Sequence, residues 1–293
     1  MGKNKAGSAI LGAVSAQNAL SAQAIKDNIS KNLRSEIMLS LFNKTFDVVI
    51  ASTNEQREIA HQIRYRVFCE ENLGYEDHTA HMNDMEVDEY DIYADHILLI
   101  YKPTNTAIGT LRVIRPNAHN WEQSFPLQRI CKAESLKNKR YINESCEFSR
   151  LCISRTLRKQ AQKHLESNKA LFTSGKTPFN IIEKPFLTHI LSLAPIGLMR
   201  GAFELTLRNN TVNVLGIMEP YHLRRLQKNG LVVNEKLGPE IEYHGARQPF
   251  RINILDTFKN GRENHKDIWN IMSNQGALHN EATKIIQRKQ TFH

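Results

Sequence analysis

Apolar and polar positions recur along this chain with two different periods, and the switch from one to the other marks its elements. Residues 46–51 read as a strand, and 54–68 as a helix with Ile59, Ile63 and Val67 on one face. The apolar runs 96–101 and 108–114 flank Lys102-Pro-Thr-Asn-Thr106, whose Pro and Asn form turns, and together they predict a hairpin. A charged stretch over 129–143 leads into another strand at 147–154, after which a basic segment opens a helix near Leu157. Residues 181–207 have helical spacing interrupted by Pro195, and 211–217 form a short apolar strand. The helix at 219–229 has Pro220 in its first turn, Arg224, Arg225 and Lys228 near its end, and Gly230 to stop it. Residues 241–244 and 250–255 are the last strands, separated by a turn at 245–249.

This order predicts an α/β (α+β) domain over 46–256, flanked by two extensions. Residues 1–45 read as a helical arm outside the core, with Ile25, Ile29, Leu33, Ile37 and Leu41 at helical spacing. Residues 257–293 read as a polar tail with one amphipathic patch around Ile268, Trp269, Ile271 and Met272. No internal repeat is present, and no run reaches the ~18–20 uninterrupted apolar residues of a membrane-spanning helix.

Composition narrows the class. With 293 residues, 41% of them hydrophobic, the chain can bury a sizeable core. Its four cysteines, Cys69, Cys131, Cys146 and Cys152, show no zinc-ligand spacing and are too sparse for a stapled secreted fold, so a reducing cytoplasm is expected. Lys3 and Lys5 precede an apolar 9–13, but Ser15, Gln17 and Asn18 interrupt it too early for a secretory leader. The net charge of +9 favours an acidic partner: nucleic acid, an anionic membrane or an acidic carrier protein. Against that, residues 67–101 hold ten acids and no Lys or Arg, a surface a polyanion must avoid.

The chemistry-bearing positions are charges inside strands. Arg112 lies within one apolar strand and Glu147 and Arg150 within the next, where burial without a partner is costly. Strict alternation puts Glu147, Ser149, Leu151 and Ile153 on one face and Phe148, Arg150, Cys152 and Ser154 on the other; a bulge would change that partition. A network of Arg64, Arg112 and Arg150 with Glu86, Asp88, Asp91 and Glu147 satisfies these charges, either as a structural brace or as a seat for a zwitterionic substrate. Residues 154–159, Ser-Arg-Thr-Leu-Arg-Lys, open a helix where backbone N–H groups favour a phosphate, although an ordinary basic helix face reads the same way. The histidines form no ligand pattern, and neither a Gly-x-Ser-x-Gly elbow nor a cysteine nucleophile site is present, so no metal and no covalent intermediate are expected.

The ordered set Arg64-x-x-Val67-Phe68, Leu73-Gly-Tyr75, Glu86-x-Asp88-x-x-Asp91, Gly109-x-x-Arg112 and Glu147-x-Ser149-Arg150 resembles the acyl-homoserine-lactone synthases, over roughly 46–160. The second half, with Met218-Glu-Pro220, Leu223-Arg-Arg-Leu226, Gly238-Pro239 and Tyr243-His-Gly-Ala-Arg247, looks more like the N-acyl amino acid synthases and exosortase-associated acyltransferases. Tyr75 stands where the lactone synthases carry Trp, with one extra residue in the spacing, which favours an amino acid over S-adenosylmethionine as acceptor.

The resemblance implies a GNAT-like mixed central sheet flanked by helices. It also implies transfer of a fatty acyl chain from acyl-phosphopantetheine on acyl carrier protein to an amine, with no tightly bound cofactor. By the same resemblance Glu147, Ser149 and Arg150 form the catalytic strand, with Glu147 as base acting through water and backbone N–H groups near Leu151 and Cys152 receiving the oxyanion. Arg64, Phe68, Glu86, Asp88, Asp91 and Arg112 fall to the acceptor, and Leu151, Cys152, Ile153, Arg155, Arg158, Lys159 and Leu215, with Phe203, to the acyl and pantetheine arm. The strands at 147–154 and 212–217 are expected to splay apart around that arm, and Lys137, Lys139, Arg140, Arg158, Lys159 and Lys163 to meet the acidic carrier. The rival readings are a lactone-forming signal synthase using S-adenosylmethionine and a non-catalytic basic binding module. No nucleic-acid partner is expected, and the N-terminal arm is expected to pack on the core rather than on a membrane.

Overall fold

The computed structural model describes residues 30, 32–72, 75–168, 187 and 189–291. Its centre is an eight-stranded sheet of β1 (Phe46–Ile50), β2 (Ala94–Tyr101), β3 (Thr106–Ile114), β4 (Ser145–Ile153), β5 (Asn213–Met218), β6 (Val233–Lys236), β7 (Ile241–Glu242) and β8 (Ala246–Asn253). The strands lie in the order β1-β2-β3-β4-β5-β8-β6, with β7 pairing β8. Only β4 and β5 are parallel, and the long connection between them supplies the crossover that parallel pairing requires.

Local signals explain most of these elements. The hairpin of β2 and β3 turns at Asn105, which adopts a left-handed φ of 50° that asparagine tolerates. α2 (Asn54–Tyr65) starts at a capping box in which Thr53 and Gln56 each bond the other's backbone N–H, then continues as one π-helical turn over Arg66–Glu70. α5 (Arg155–Ser167) follows β4 directly, capped by Ser154.

α6 (Ala194–Arg208) packs across β1 to β4 and supplies the centre of the main core. Pro195 stands in its first turn, where a missing N–H costs nothing, so it begins the helix instead of interrupting one; residues 181–186 and 188 lie outside the described residues. Small residues let this helix approach closely: a Cβ at Gly197 would stand 2.7 Å from the Phe42 ring and 2.9 Å from Leu99. Residues 190–208, though interrupted by Ser192, Arg200 and Glu204, are apolar enough in average composition to cross a membrane, but 78% of the most apolar window is buried inside the fold.

Both extensions differ from expectation in the same way. The helix at 32–45, α1, is not outside the core, because Ile37, Leu39, Leu41 and Phe42 are buried within it; Ile25 and Ile29 lie outside the described residues. The segment read as a polar tail forms α8 (Ile254–Asn264), α9 (Lys266–Met272) and α10 (Ala277–Thr291). Phe258, Ile271, Met272, Leu278, Ala282 and Ile285 join these helices to the core beside α6. Their apolar stripe is narrow, so average composition concealed it.

The opposite face of the sheet carries α2 and two smaller apolar clusters. One joins Ala60, Ile63 and Val67 to Leu98 and Cys152; the other holds Tyr90, Ile114, Phe125, Leu127 and Leu215. A buried layer of charge lies on this side as well, and it defines the site.

Candidate active site

β4 is bulged at its middle. Arg112 faces Ser149 and Thr110 faces Cys152, so two residues, Arg150 and Leu151, stand opposite Leu111 alone, with Arg150 at a left-handed φ of 54°. This corrects the alternation read from sequence. Glu147, Ser149 and Cys152 share the face of Thr110, Arg112 and Ile114, whereas Phe148, Leu151 and Ile153 face the α6 side. The bulge also brings Arg150 onto the charged face, where its side chain meets Glu86.

Three arginines and four acids form one network on that face. Arg64 donates through Nε to Glu86 and bidentately to Asp91, at 2.7 and 3.1 Å. Arg112 donates to the Ser149 hydroxyl at 2.9 Å, to Asp88 at 2.5 Å and to Asp91 at 3.0 Å. Arg150 donates to Glu86 at 2.9 and 3.1 Å and to Asp88 at 3.4 Å, with Glu76 at 3.7 Å. Arg64 and Arg112 are fully buried. Burial opposes the charge on Glu86, but Arg64 and Arg150 outweigh it and hold the carboxyl at about 2. The network therefore braces the sheet against α2, and Arg64 is entirely spent on it.

Glu147 is treated differently. It is completely buried, one oxygen accepts from the Leu127 backbone N–H at 3.0 Å, and the other has no partner among the described residues. Burial pushes its carboxyl up to about 8, against that N–H and the pull of Arg112 and Arg150. A second orphaned atom, one terminal nitrogen of Arg112, and a third, the Tyr90 hydroxyl, belong to the same buried region. Buried polar groups left open in this way are places for water or substrate. Burial raises the Cys152 thiol to about 12, which leaves no thiolate nucleophile beside Glu147.

The ladder between β4 and β5 ends at Phe148 and Gly216, while β4 runs on to Ile153. Beyond that point β4 has no strand on its β5 side, and a cavity of about 550 Å³ opens between them. Glu147 and the strand residues 148–153 form one wall, Leu191, Ile196 and Met199 an apolar flank, and Ile217, Met218 and Arg247 the far side. A second hollow, lined by Glu204, Arg208, Glu281 and Arg288, lies away from every strand-borne charge.

Several assigned residues fall elsewhere. Leu215 and Phe203 are core residues that do not line the cavity, and neither does Lys159. Glu86, Asp88, Asp91, Arg64 and Arg112 brace it from behind, whereas Phe68, Ser149, Arg150, Leu151, Cys152, Ile153, Arg155 and Arg158 do line it. The backbone N–H groups at the start of α5 are not open to a phosphate: those of Arg155 and Thr156 donate to the Glu71 carboxylate at 2.7 and 3.0 Å, as does the Ser154 hydroxyl at 2.7 Å. Burial would raise the Glu71 carboxyl, and these donors hold it below its ordinary range.

The basic residues do not form one field either. Lys137, Lys139 and Arg140 lie at the start of β4 and Arg158 beyond its end, nine residues or roughly 30 Å of strand apart. The cations at the cavity rim are Arg155, Arg158 and Arg225. His61, Asp91 and His96 offer ligand atoms within 4.8 Å of one another, a grouping with no local sequence signal. Arg64 and Arg112 already occupy Asp91 and repel a cation, and burial with Arg64 lowers His96 to about 3. The arrangement does not fit a metal.

Residues 63–166, from α2 through most of α5, match the model of the acetyltransferase (GNAT) domain. Over that third of its length the chain is similar to GNAT acetyltransferases, whose reaction is acyl transfer. No curated protein sequence matches it. Among solved structures it is similar to the AHL synthase LasI, at 14% identity over 71% of this chain and 90% of that one, with a TM-score of 0.46. It is similar also to FeeM, an N-acyl amino acid synthase from uncultured soil microbes, at 15% identity over 73% and 94%, TM-score 0.46. A third is BjaI, a CoA-dependent acyl-homoserine lactone synthase solved with SAM and isopentyl-CoA, at 17% identity over 82% and 89%, TM-score 0.45.

Proposed function

We propose that this protein moves a fatty acyl chain from the phosphopantetheine arm of acyl carrier protein to the amine of an amino acid. The observation that carries the reading is the cavity between the diverging β4 and β5, with the proton-binding Glu147 in its wall. The arm enters between the strands, the acyl chain follows Leu191, Ile196 and Met199, and the rim cations Arg158 and Arg225 face the acidic carrier.

The amine attacks the thioester carbonyl, the carbon–sulfur bond breaks, and the thiol leaves on the donor. Glu147 removes the proton from the amine through water, which its unpartnered oxygen can hold. The backbone N–H of Leu151, on the edge that β5 leaves unpaired, receives the developing oxyanion. Ser149 orients Arg112, and through it Asp88 and Asp91, behind the reacting atoms.

The test is product identification by mass spectrometry, with long-chain thioesters of acyl carrier protein and of coenzyme A offered alongside the twenty amino acids and S-adenosylmethionine. An N-acyl amino acid made from the carrier thioester is the expected product. An acyl lactone, or a product formed only from the coenzyme A thioester, contradicts the reading.

A further inference from the structure

An amino-acid acceptor brings a carboxylate into the cavity, and the arginines that sequence nominates for it are engaged elsewhere. Arg64 is fully used by Glu86 and Asp91, and Arg112 and Arg150 belong to a network with four carboxylates to three guanidiniums. That side of the cavity attracts an ammonium and repels a second negative charge.

Arg247 stands across the gap. On β8, Arg251 is in register with Leu215 and through it with Glu147; Arg247 lies four residues further along the sheet, level with the β4 bulge and across the cavity from it. The guanidinium is largely buried, packs over the Tyr75 ring at 5.9 Å and lines the cavity. One terminal nitrogen meets Glu219 at 2.6 Å, the other donates to the His244 carbonyl at 2.8 Å, and Nε makes no hydrogen bond among the described residues. Glu219, in contrast, is half exposed, and it is shared with His222 at 3.5 Å. A buried arginine whose only acid is solvent-facing is prepared to exchange that acid for a carboxylate arriving through the cavity.

We propose that Arg247 binds the carboxylate of the acyl acceptor, taking it in exchange for Glu219. The assignment rests on the amino-acid reading above and gives it a polarity: carboxylate toward β8, amine toward the β4 bulge. Aromatic rings complete the seat, because Phe68 stacks on Tyr75 at 5.1 Å and Tyr75 on His244 at 4.6 Å.

The test compares an accepted amino acid with its amide, which keeps the amine and loses the carboxylate charge. In the wild type the amide's KM is expected to exceed that of the amino acid at least tenfold. In Arg247→Gln the amino acid's KM rises until the two KM values differ by less than about twofold, with kcat for the amino acid changed far less than its KM, and far-UV circular dichroism checks that the variant is folded. Arg247→Lys falls between, and Glu219→Gln lowers KM for the amino acid alone. An unchanged KM ratio in Arg247→Gln, or an equal rise for both acceptors, overturns the assignment while leaving the acyl-transfer reading intact. A wild type that acylates neither acceptor fails the acyl-transfer reading and this assignment with it.

Discussion

Two carboxylates only a few residues of fold apart, Glu86 and Glu147, are held at opposite protonation states by what faces them. Glu86 meets two guanidiniums and stays charged; Glu147 meets one backbone N–H, keeps an open oxygen, and with its carboxyl pushed up to about 8 holds its proton at neutral pH. Charge inside strands led sequence to Glu147, Arg112 and Arg150, and the need to pair them brought in Arg64 and Glu86. Sequence did not separate brace from base, since that depends on contacts between residues 64 and 86 or 127 and 147. Glu71 and Arg247 escaped for the same reason: their partners lie 84 residues away at Arg155 or turn on a cavity wall that no local pattern reveals. Arg64→Met, which leaves Glu86 and Asp91 buried without their main partner, should lower unfolding free energy by about 3–5 kcal/mol in chemical denaturation. A loss below about 1 kcal/mol would show that the network is not the brace described. Cys152→Ser should leave kcat within about twofold, because a thiol raised to about 12 supplies no nucleophile, and an acyl-enzyme seen by intact mass in the wild type but not in this variant would contradict direct transfer.

At the scale of elements, the periodicities located the hairpin, β4, β5, α2 and the start of α5 to within a few residues, but not the start of α6. Three features were beyond them. The β4 bulge shifts register by one residue, and alternation carries no sign of where it occurs, so the side chains beyond it were assigned to the wrong faces. β6 is a four-residue edge strand of mixed polarity, too short to show a period. The terminal helices bury narrow stripes that average composition hides. Their contribution is measurable: Phe42, on the helix read as an outlying arm, is fully buried against α6, and Phe42→Ala should destabilise the domain by about 3–5 kcal/mol. A melting temperature equal to that of the wild type would return α1 to the periphery.

For the molecule as a whole, the charged layer between α2 and the sheet ties stability to pH. Glu86 titrates near 2 in the folded protein and in the ordinary range, about 4.5, when unfolded, and Asp91 is displaced in the same direction. A carboxyl depressed in this way contributes stability that is complete above its unfolded value and lost as pH falls through the folded one. Unfolding free energy should therefore decline from about pH 4.5 downward, and Glu86→Gln should flatten that decline while lowering stability at pH 7; a parallel acid limb in the variant would contradict the brace. Glu147 has the opposite sign. Its contribution is complete below about 4.5 and is lost as pH rises through about 8, so ionising Glu147 costs the folded protein stability.

That opposition makes the acyl-transfer rate the most direct probe of the account. The measurement is kcat for transfer from a long-chain acyl carrier protein to an amino acid between pH 6 and 9, in the wild type and in Glu147→Gln. The account predicts a wild-type rate that climbs with pH through a half-maximum near 8, and a variant at least ~100-fold slower in which that limb is gone. A Glu147→Gln enzyme that keeps both the rate and the limb would contradict it.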